Sequence, residues 1–380
     1  MSRLKVLHLT FDMAIAGTEQ VIRQLVENTD RDRFEVAICC IDGRIGDLGQ
    51  KLQASGHTFF TLRRGSGFDR TLIRDLRALI RDQHFDVLHC HQYTPYSYGL
   101  FASFGTGVRV IFTEHGRFYP DSYKWKRFLL NPVLSLFTDA ITAISQATNE
   151  ALVRYENFPR RKIRTLYNGI RENTPEETAQ CLAEAESLRA ELGLAPDCLV
   201  FGTISRLDPI KNQEMMIRAF ARTWNRHPAC HLLIVGDGPQ RQKLEQLTGQ
   251  MNLQQHITFT GFKVDPKPWF AVIDAFLLSS LSEGTSMTLL EAMAFAKPSV
   301  VTGVGGNPEI VVDGQTGLVT PNQDTDAFAD AMLRIASEPA LAGKLGEHAR
   351  ARFLDRFTVG VMCAQYQALY QELVGESVRS

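Results

Sequence analysis

A rhythm narrows the fold more than any single residue: short apolar runs, each ending in a polar or small-residue loop, separated by stretches with helical periodicity. In the first half the runs are KVLHLT (Lys5–Thr10), FEVAICCI (Phe34–Ile41), HTFFTL (His57–Leu62), DVLHCH (Asp86–His91), VRVIFTEH (Val108–His115), DAITAIS (Asp139–Ser145) and KIRTLYNGI (Lys162–Ile170). Helical patterns follow Gly17 through Val21, Ile22, Leu25 and Val26, span Leu72–Ile80, and run from about Tyr123 to Phe137. Apolar runs of this length are strands buried on both faces, and strands spaced by helices pair in parallel. The expected class is α/β, with a doubly wound sheet.

Residues 171–195 break the rhythm with a polar, acidic, helix-prone segment. LVFGTIS (Leu199–Ser205) restarts it, and CHLLIVG, ITFTG, DAFLLSS, PSVVTG and TGLVT continue it to Thr320. Helices are expected at Gln213–Trp224, Gln240–Thr248, Ser286–Phe295 and Asp324–Ser337. A last helical stretch carries Val361, Tyr366, Leu369, Tyr370 and Leu373. The predicted division is 1–170, 171–355 and a terminal helix within 356–380. A chain of 380 residues has room for two such cores.

Composition removes several classes. Hydrophobic residues at 44% and charged residues at 22% describe a soluble globular protein, and no apolar run is long enough to span a bilayer. The first residues lack the apolar core of a signal peptide, so the expected compartment is the cytoplasm. Seven scattered cysteines with no CxxC indicate neither a disulfide scaffold nor a zinc site. Residues 1–170 hold 23 Lys/Arg against 17 Asp/Glu, and the rest of the chain 18 against 25. The basic half suits an anionic surface, although uneven spread by chance accounts for it equally. Nothing points to nucleic acid.

Ligands of open α/β sheets bind beyond the carboxyl ends of the strands, so the loops there are the candidates. After the first strand, Ala16-Gly17-Thr18-Glu19 opens a helix, either as a phosphate-approaching loop or as an ordinary turn. Glu114-His115-Gly116-Arg117 follows VRVIFT, where a histidine can bond a substrate hydroxyl or serve structurally. His89 and His91 share a strand face, yet no third ligand stands near them in sequence, so no metal site is expected.

Arg206 and Lys211 flank the turn after LVFGTIS, a pair suited to a diphosphate and also common on surface turns. Gly236-Asp237-Gly238-Pro239 is only a GxG and does not follow the first strand, which argues against NAD. Gly261-Phe262-Lys263 is placed to offer backbone contacts to a base edge. Gly303–Glu309 is another close-approach loop. In SSLSEGTSMTLLEAMAFA (Ser279–Ala296), Glu283 precedes Gly284-Thr285-Ser286-Met287 at a helix start, and Glu291 lies eight positions on. Two acids facing one ligand, or a capped surface helix with solvated acids, both fit.

Together these residues resemble the retaining glycosyltransferases of family 4, which include bacterial polysaccharide and lipopolysaccharide glycosyltransferases of GT-B fold. Glu283-x7-Glu291 is similar to the family's two-glutamate motif, Arg206/Lys211 to its phosphate clamp, and YNGI (Tyr167–Ile170) to the segment closing its first domain. The resemblance covers nearly the whole chain. It implies two Rossmann-like domains with a cleft between them: an acceptor domain, a nucleotide-sugar domain, and a terminal helix crossing back to the first.

By the same resemblance Glu291 binds ribose hydroxyls and Glu283 the transferred sugar near its reacting carbon. Backbone N–H groups of Gly284, Thr285, Ser286 and Met287 bind sugar or distal phosphate, and Arg206 and Lys211 neutralise the leaving diphosphate. Gly236 and Gly261–Lys263 line the nucleotide. Gly17 approaches the phosphates, and His115 contacts the donor sugar. The loop AGTEQ departs from the double glycine common in the family, and TEHG from the usual surroundings of its histidine.

The implied activity is transfer of a hexosyl group from a nucleotide-diphosphate sugar, by family precedent a UDP-sugar. The acceptor is a glycan or lipid-linked hydroxyl in cell-envelope or exopolysaccharide synthesis. The expected reaction is metal-independent and needs no cofactor; the DxD candidate Asp30-Arg31-Asp32 reads as a solvated turn. Rival readings are a sugar-nucleotide epimerase of the same architecture and a non-catalytic sugar-nucleotide binder. Tyr119–Leu130 mixes basic and aromatic residues, which suits peripheral contact with the inner membrane face or an amphipathic helix packed on its own domain.

Overall fold

The computed structural model describes residues 3–116 and 122–375. The chain forms two compact units, one of residues 1–171 with 359–380 and one of residues 172–358. Each holds one parallel sheet.

In the first unit the strands are β1 (Leu4–Thr10), β2 (Phe34–Cys40), β3 (Thr58–Thr61), β4 (Val87–His91), β5 (Arg109–Glu114), β6 (Ala140–Ala143) and β7 (Ile163–Thr165). Their spatial order is β3-β2-β1-β4-β5-β6-β7, with every pairing parallel. The order reverses between β1 and β4. One face is apolar: Leu7, Leu9, Leu88, Cys90, Phe112 and Ile141 pack with Leu72, Leu76 and Ile80 of the helix Arg70–Gln83.

The other face departs from the apolar strands expected. His8, Thr10, His89, His91, Thr113 and Thr142 are all fully buried on it. Side chains alternate across a strand, so one register places all six together. The helix Val359–Val374 supplies partners to His89 and Thr142. Tyr370 Oη lies 2.8 Å from His89 Nδ1, and Tyr366 Oη lies 3.4 Å from Thr142 Oγ1. That helix is tied to the unit by Val359 N donating to Ile170 O at 2.8 Å and by a bidentate Arg164–Glu372 pair. It also lies beside the helix Gly17–Asn28, where Cys363 Sγ meets Gln24 O.

KIRTLYNGI was expected to be one strand, but pairing ends at Thr165. Beyond it Asn168-Gly169 is turn-forming, and Gly169 N turns instead to Met362 Sδ. The helices Tyr93–Ser103 and Gln146–Glu156 carry only weak apolar periodicity, and Asp47–Ala54 is only eight residues long; none of the three was foreseen.

The second unit contains β8 (Leu199–Ile204), β9 (Cys230–Val235), β10 (Ile257–Gly261), β11 (Ala275–Leu278), β12 (Ser299–Thr302) and β13 (Leu318–Thr320). The order is β10-β9-β8-β11-β12-β13, again parallel throughout, and it reverses between β8 and β11. Phe201, Leu232, Ile234, Leu277 and Val300 pack with Met216, Phe220, Phe328 and Met332 in its core.

The segment expected as a crossover is the helix Pro175–Glu191, started by a capping box between Thr174 and Glu177. Its Arg189 bonds Val272 O, Cys198 O and Asp274, so the helix belongs to this unit. Pro339–Arg356 forms an eighteen-residue helix that was not predicted.

Candidate functional site

In the second unit the sheet order reverses where β8 and β11 lie side by side, and the loops leaving these two strands hold most of the candidate residues. The β8 loop is shaped by Asp208, whose carboxylate accepts from Ile210 N, caps the short turn Pro209–Lys211 and pairs with Arg206. The β11 loop is bound to it through backbone and hydroxyl. Leu281 N donates to Ile210 O at 2.7 Å, and Ser279 Oγ bridges Lys211 O and Asn212 O at 2.9 and 3.0 Å.

These ties bring Lys211 onto Glu283. Lys211 Nζ donates to Glu283 Oε1 at 2.5 Å, and Ser280 Oγ donates to the same oxygen at 2.6 Å. The Glu283 side chain is 9% exposed and that of Lys211 23%. A carboxylate this enclosed must be paired, which the lysine and hydroxyl accomplish.

The Glu283 backbone is fixed as tightly from a third strand. Gly306 N donates to Glu283 O at 3.2 Å. Gly305 has φ +51, and a Cβ there would come within 1.8 Å of Glu283 O. Only glycine allows this approach. The loop read in sequence as a close-approach loop therefore approaches the glutamate itself.

The helix Met287–Ala294 continues from Glu283, its first turn capped by Ser286 Oγ at Leu289 N. Thr285 and Ser286 are buried, and Glu291 stands half-buried in the second turn. Gly284 and Met287 are half-buried beside them. Gly236 follows β9 and Gly261 ends β10, and the backbones there are in contact: Gly236 N donates to Gly261 O at 3.0 Å. A Cβ at Gly236 would lie 2.0 Å from Ser205 O, so its lack of a side chain is used to pack loop on loop. Phe262 is 67% exposed, and Lys263 Nζ stands 4.8 Å from the Trp269 ring centroid. One unit thus carries Arg206, Lys211, Glu283, the helix start and Glu291 on the segments that follow β8 and β11, with Lys211 and Glu283 in contact and the glycines on the adjoining strand ends.

Gly17 and His115 belong to the first unit. Gly17 is the exposed first residue of the helix Gly17–Asn28, and a Cβ on it would meet nothing within 4 Å. That loop joins the next across the sheet reversal, where Gln92 Nε2 donates to Thr18 Oγ1 at 3.1 Å. Arg117, adjacent to His115 and Gly116, lies outside the described residues.

His115 does not stand alone. Its Nε2 lies 2.8 Å from His91 Nδ1, and His91 Nε2 lies 2.9 Å from His8 Nδ1. His89 bonds sideways, with Nε2 2.6 Å from Thr113 Oγ1. Burial pushes His8 and His115 down to about 3, and His89 and His91 well below the ordinary histidine value. All four are neutral imidazoles near pH 7.

The lack of a third ligand near His89 and His91 is corrected by the fold, because β1 pairs with β4 and sets His8 opposite His89. Sequence distance hid this residue, and only the parallel register could have revealed it. Among the described residues the ligand atoms of His8, His89 and His91 lie within 4.8 Å of one another. Five of their six ring nitrogens are already engaged in hydrogen bonds, the exception being His8 Nε2. A metal ion would have to break this network.

Comparison with known proteins names the family. Residues 15–173 match the model described as "Glycosyltransferase Family 4", and residues 196–338 the model described as "Glycosyl transferases group 1". EpsD of Bacillus subtilis (strain 168), named as a glycosyltransferase, is 30% identical over 309 residues, covering 78% of this chain and 80% of its own. The UDP-Gal:alpha-D-GlcNAc-diphosphoundecaprenol alpha-1,3-galactosyltransferase of Escherichia coli is 25% identical over 98% of both chains. Among solved structures, Anabaena Alr3699/HepE in complex with UDP superposes with a TM-score of 0.85 at 21% identity, covering 97% of this chain and 100% of its own. Its likeness extends the two-sheet architecture over the whole chain. With both family models matched in order and the EpsD likeness spanning most of each chain, this protein belongs to glycosyltransferase family 4.

Proposed function

We propose that the chain transfers a hexosyl group from a UDP-sugar to a hydroxyl of a glycan or lipid-linked acceptor, with retention and without a metal ion. One observation carries the reading: Lys211 and Glu283 meet at the sheet reversal of the second unit, with Arg206 on the same loop. Cations suited to a leaving diphosphate therefore stand beside a carboxylate suited to sugar hydroxyls. The bond between the anomeric carbon and the diphosphate oxygen breaks. A new bond forms to the acceptor oxygen, and its proton passes to the departing phosphate. Arg206 and Lys211 stabilise the charge that grows on that phosphate. Glu283 holds the sugar and Glu291 the ribose, while the backbone at Gly284–Met287 receives the sugar or the distal phosphate. Gly17 and His115 keep the roles the family resemblance implies for them, phosphate and sugar.

The names of the relatives support the donor and acceptor classes. The Escherichia coli protein is named for UDP-galactose and a diphosphoundecaprenol acceptor, and HepE was crystallised with UDP. The test is a thermal-shift screen with UDP-, GDP- and ADP-sugars, followed by product analysis against lipid-linked acceptors with and without EDTA. The expected result is stabilisation by UDP-sugars, UDP release only with acceptor, an unchanged anomeric configuration and a rate indifferent to EDTA. Donor conversion without acceptor would replace the reading with epimerisation. Loss of activity in EDTA with recovery in manganese would remove the metal-free mechanism.

The acceptor reading extends to a membrane surface. No helix among the described residues is long and apolar enough to cross a bilayer. Tyr119, Pro120 and Asp121 lie outside the described residues, but Tyr123 onward is placed. Around the helix Trp125–Leu134, Trp125, Leu129, Leu130, Val133, Leu136 and Phe137 are each more than half exposed, and Lys124 and Lys126 are exposed beside them. An apolar patch with a basic edge suits an anionic lipid interface better than it suits water. Co-sedimentation is expected with vesicles containing phosphatidylglycerol, and it should fall several-fold in a Leu129→Glu/Leu136→Glu variant. Equal sedimentation of the two proteins would end the membrane proposal.

A further inference from the structure

The three-histidine row running inward from His115 has a property that none of its members has alone. Each ring is neutral, so each carries one N–H and one lone pair. His115 Nε2 faces His91 Nδ1, and His91 Nε2 faces His8 Nδ1, at 2.8 and 2.9 Å. A hydrogen bond needs one proton per contact, so the three tautomers are locked together. Either every ring donates outward, leaving N–H at His115 Nδ1 and a lone pair at His8 Nε2, or every ring donates inward and the two ends exchange.

Both end nitrogens are enclosed and lack a partner among the described residues. They are not equivalent. His8 is 0% exposed, within β1. His115 is half-buried, just past the end of β5, where ligands of such sheets are received. An unpaired N–H in the interior is less tolerable than an unpaired lone pair. Of the two enclosed ends only His115, just past the strand, is placed to meet an incoming ligand oxygen, so the proton belongs at the outer end.

We infer that His8 and His91 are positioning residues that hold His115 as its Nδ1–H tautomer, presenting a fixed donor to an oxygen of the bound ligand. The inference rests on the reading of His115 as a sugar-contacting residue only for the identity of that oxygen. The tautomer itself is a property of the free protein. Free imidazole favours the proton on Nε2, so the arrangement runs against the intrinsic preference and has to be imposed by His91 Nδ1–H donating to His115 Nε2. Burial of all three rings keeps the row neutral, without which the two directions would not be exclusive.

The test is long-range ¹H–¹⁵N NMR of the full chain labelled at histidine, with His115 assigned by loss of its signals in His115→Asn. At pH 7 His115 is expected to show a protonated Nδ1 and a bare Nε2. In His91→Phe it should revert to Nε2–H, and in His91→Gln, whose amide can still donate, Nδ1–H should return. A wild-type His115 protonated at Nε2 overturns the inference even if no variant folds. Retention of Nδ1–H in His91→Phe overturns it too. Adding UDP-glucose separates the two readings. A shift at His115 Nδ1–H supports its role as donor to the sugar. No shift, with UDP-glucose shown to bind by calorimetry, removes that role and leaves the tautomer standing.

Discussion

Glu283→Gln is expected to lower kcat by about 10² to 10³ while leaving the affinity for UDP nearly unchanged. The substitution keeps the size of the side chain and can keep the bond from Ser280 Oγ, which donates to Glu283 Oε1 at 2.6 Å. It removes the charge that Lys211 Nζ meets at 2.5 Å. Two consequences follow together: sugar hydroxyls lose an anionic acceptor, and the lysine loses the partner that sets its position beside the leaving phosphate. The β11 loop itself should hold, because its ties to Ile210, Lys211, Asn212 and Gly306 run through the backbone and Ser279. Steady-state kinetics with the donor found by the screen, and calorimetry with UDP, give the two numbers. Near-normal turnover would take Glu283 out of the mechanism. Loss of UDP binding in step with turnover would place its role in holding the loop rather than in the transferred sugar.

The parts of this arrangement that were legible in sequence are those that depend on period and chemistry at short range. Both sheets could be read because β1, β4, β8 and β11 are short, mostly apolar runs bounded by polar loops, and the site loops because Arg206, Lys211 and Glu283 come soon after such runs. What could not be read depends on pairing between distant segments. The contact of Lys211 with Glu283 spans 72 positions and exists because the sheet order reverses between β8 and β11. The sequence reading gave these two residues separate roles, phosphate and sugar, and the geometry couples them.

His8 was passed over because β1 reads as apolar with one histidine in it, and its neighbours in space lie in β4, more than eighty positions on. The helix Tyr93–Ser103 was hidden for a different reason. Pro95 and Gly99 are poor helix formers, yet Gly99 is needed because a Cβ there would come within 2.5 Å of Cys90 Sγ. Close packing on the sheet decided that residue, against its propensity. The end of KIRTLYNGI shows another case, where strand pairing stops at Thr165 and Gly169 N is taken up by Met362 Sδ of the last helix.

The same buried histidines make the first unit acid-sensitive, and the expected loss is large. His8, His89 and His91 are fully buried, and burial lowers their affinity for protons far below that of an unfolded histidine. Between the folded and unfolded values the unfolded chain binds more protons, so stability falls as pH falls. The decline starts near the unfolded value of about 6.5 and for His8 continues down to about 3. From pH 7 to pH 5 a histidine held neutral like His8 or His115 should cost about 2 kcal/mol, and His89 and His91 add losses of the same sign. A domain commonly has only about 5–15 kcal/mol in total. Urea unfolding followed by circular dichroism at the two pH values should show an early transition at pH 5, and hydrogen exchange should assign it to β1, β4 and β5. The second unit, whose two tryptophans Trp224 and Trp269 report on it by fluorescence, should be less affected. Its one buried histidine, His231, is lowered to about 4 and contributes a single term of the same sign. His8→Phe removes one of the four titrating rings, with His89, His91 and His115 remaining, and should reduce the pH 7-to-5 loss by about a quarter, whatever it does to stability at pH 7. Equal stability of the first unit at both pH values would mean that these rings accept protons in the folded state. The row from His115 to His8 would then not be neutral, and the locked tautomer would lose its physical basis as well.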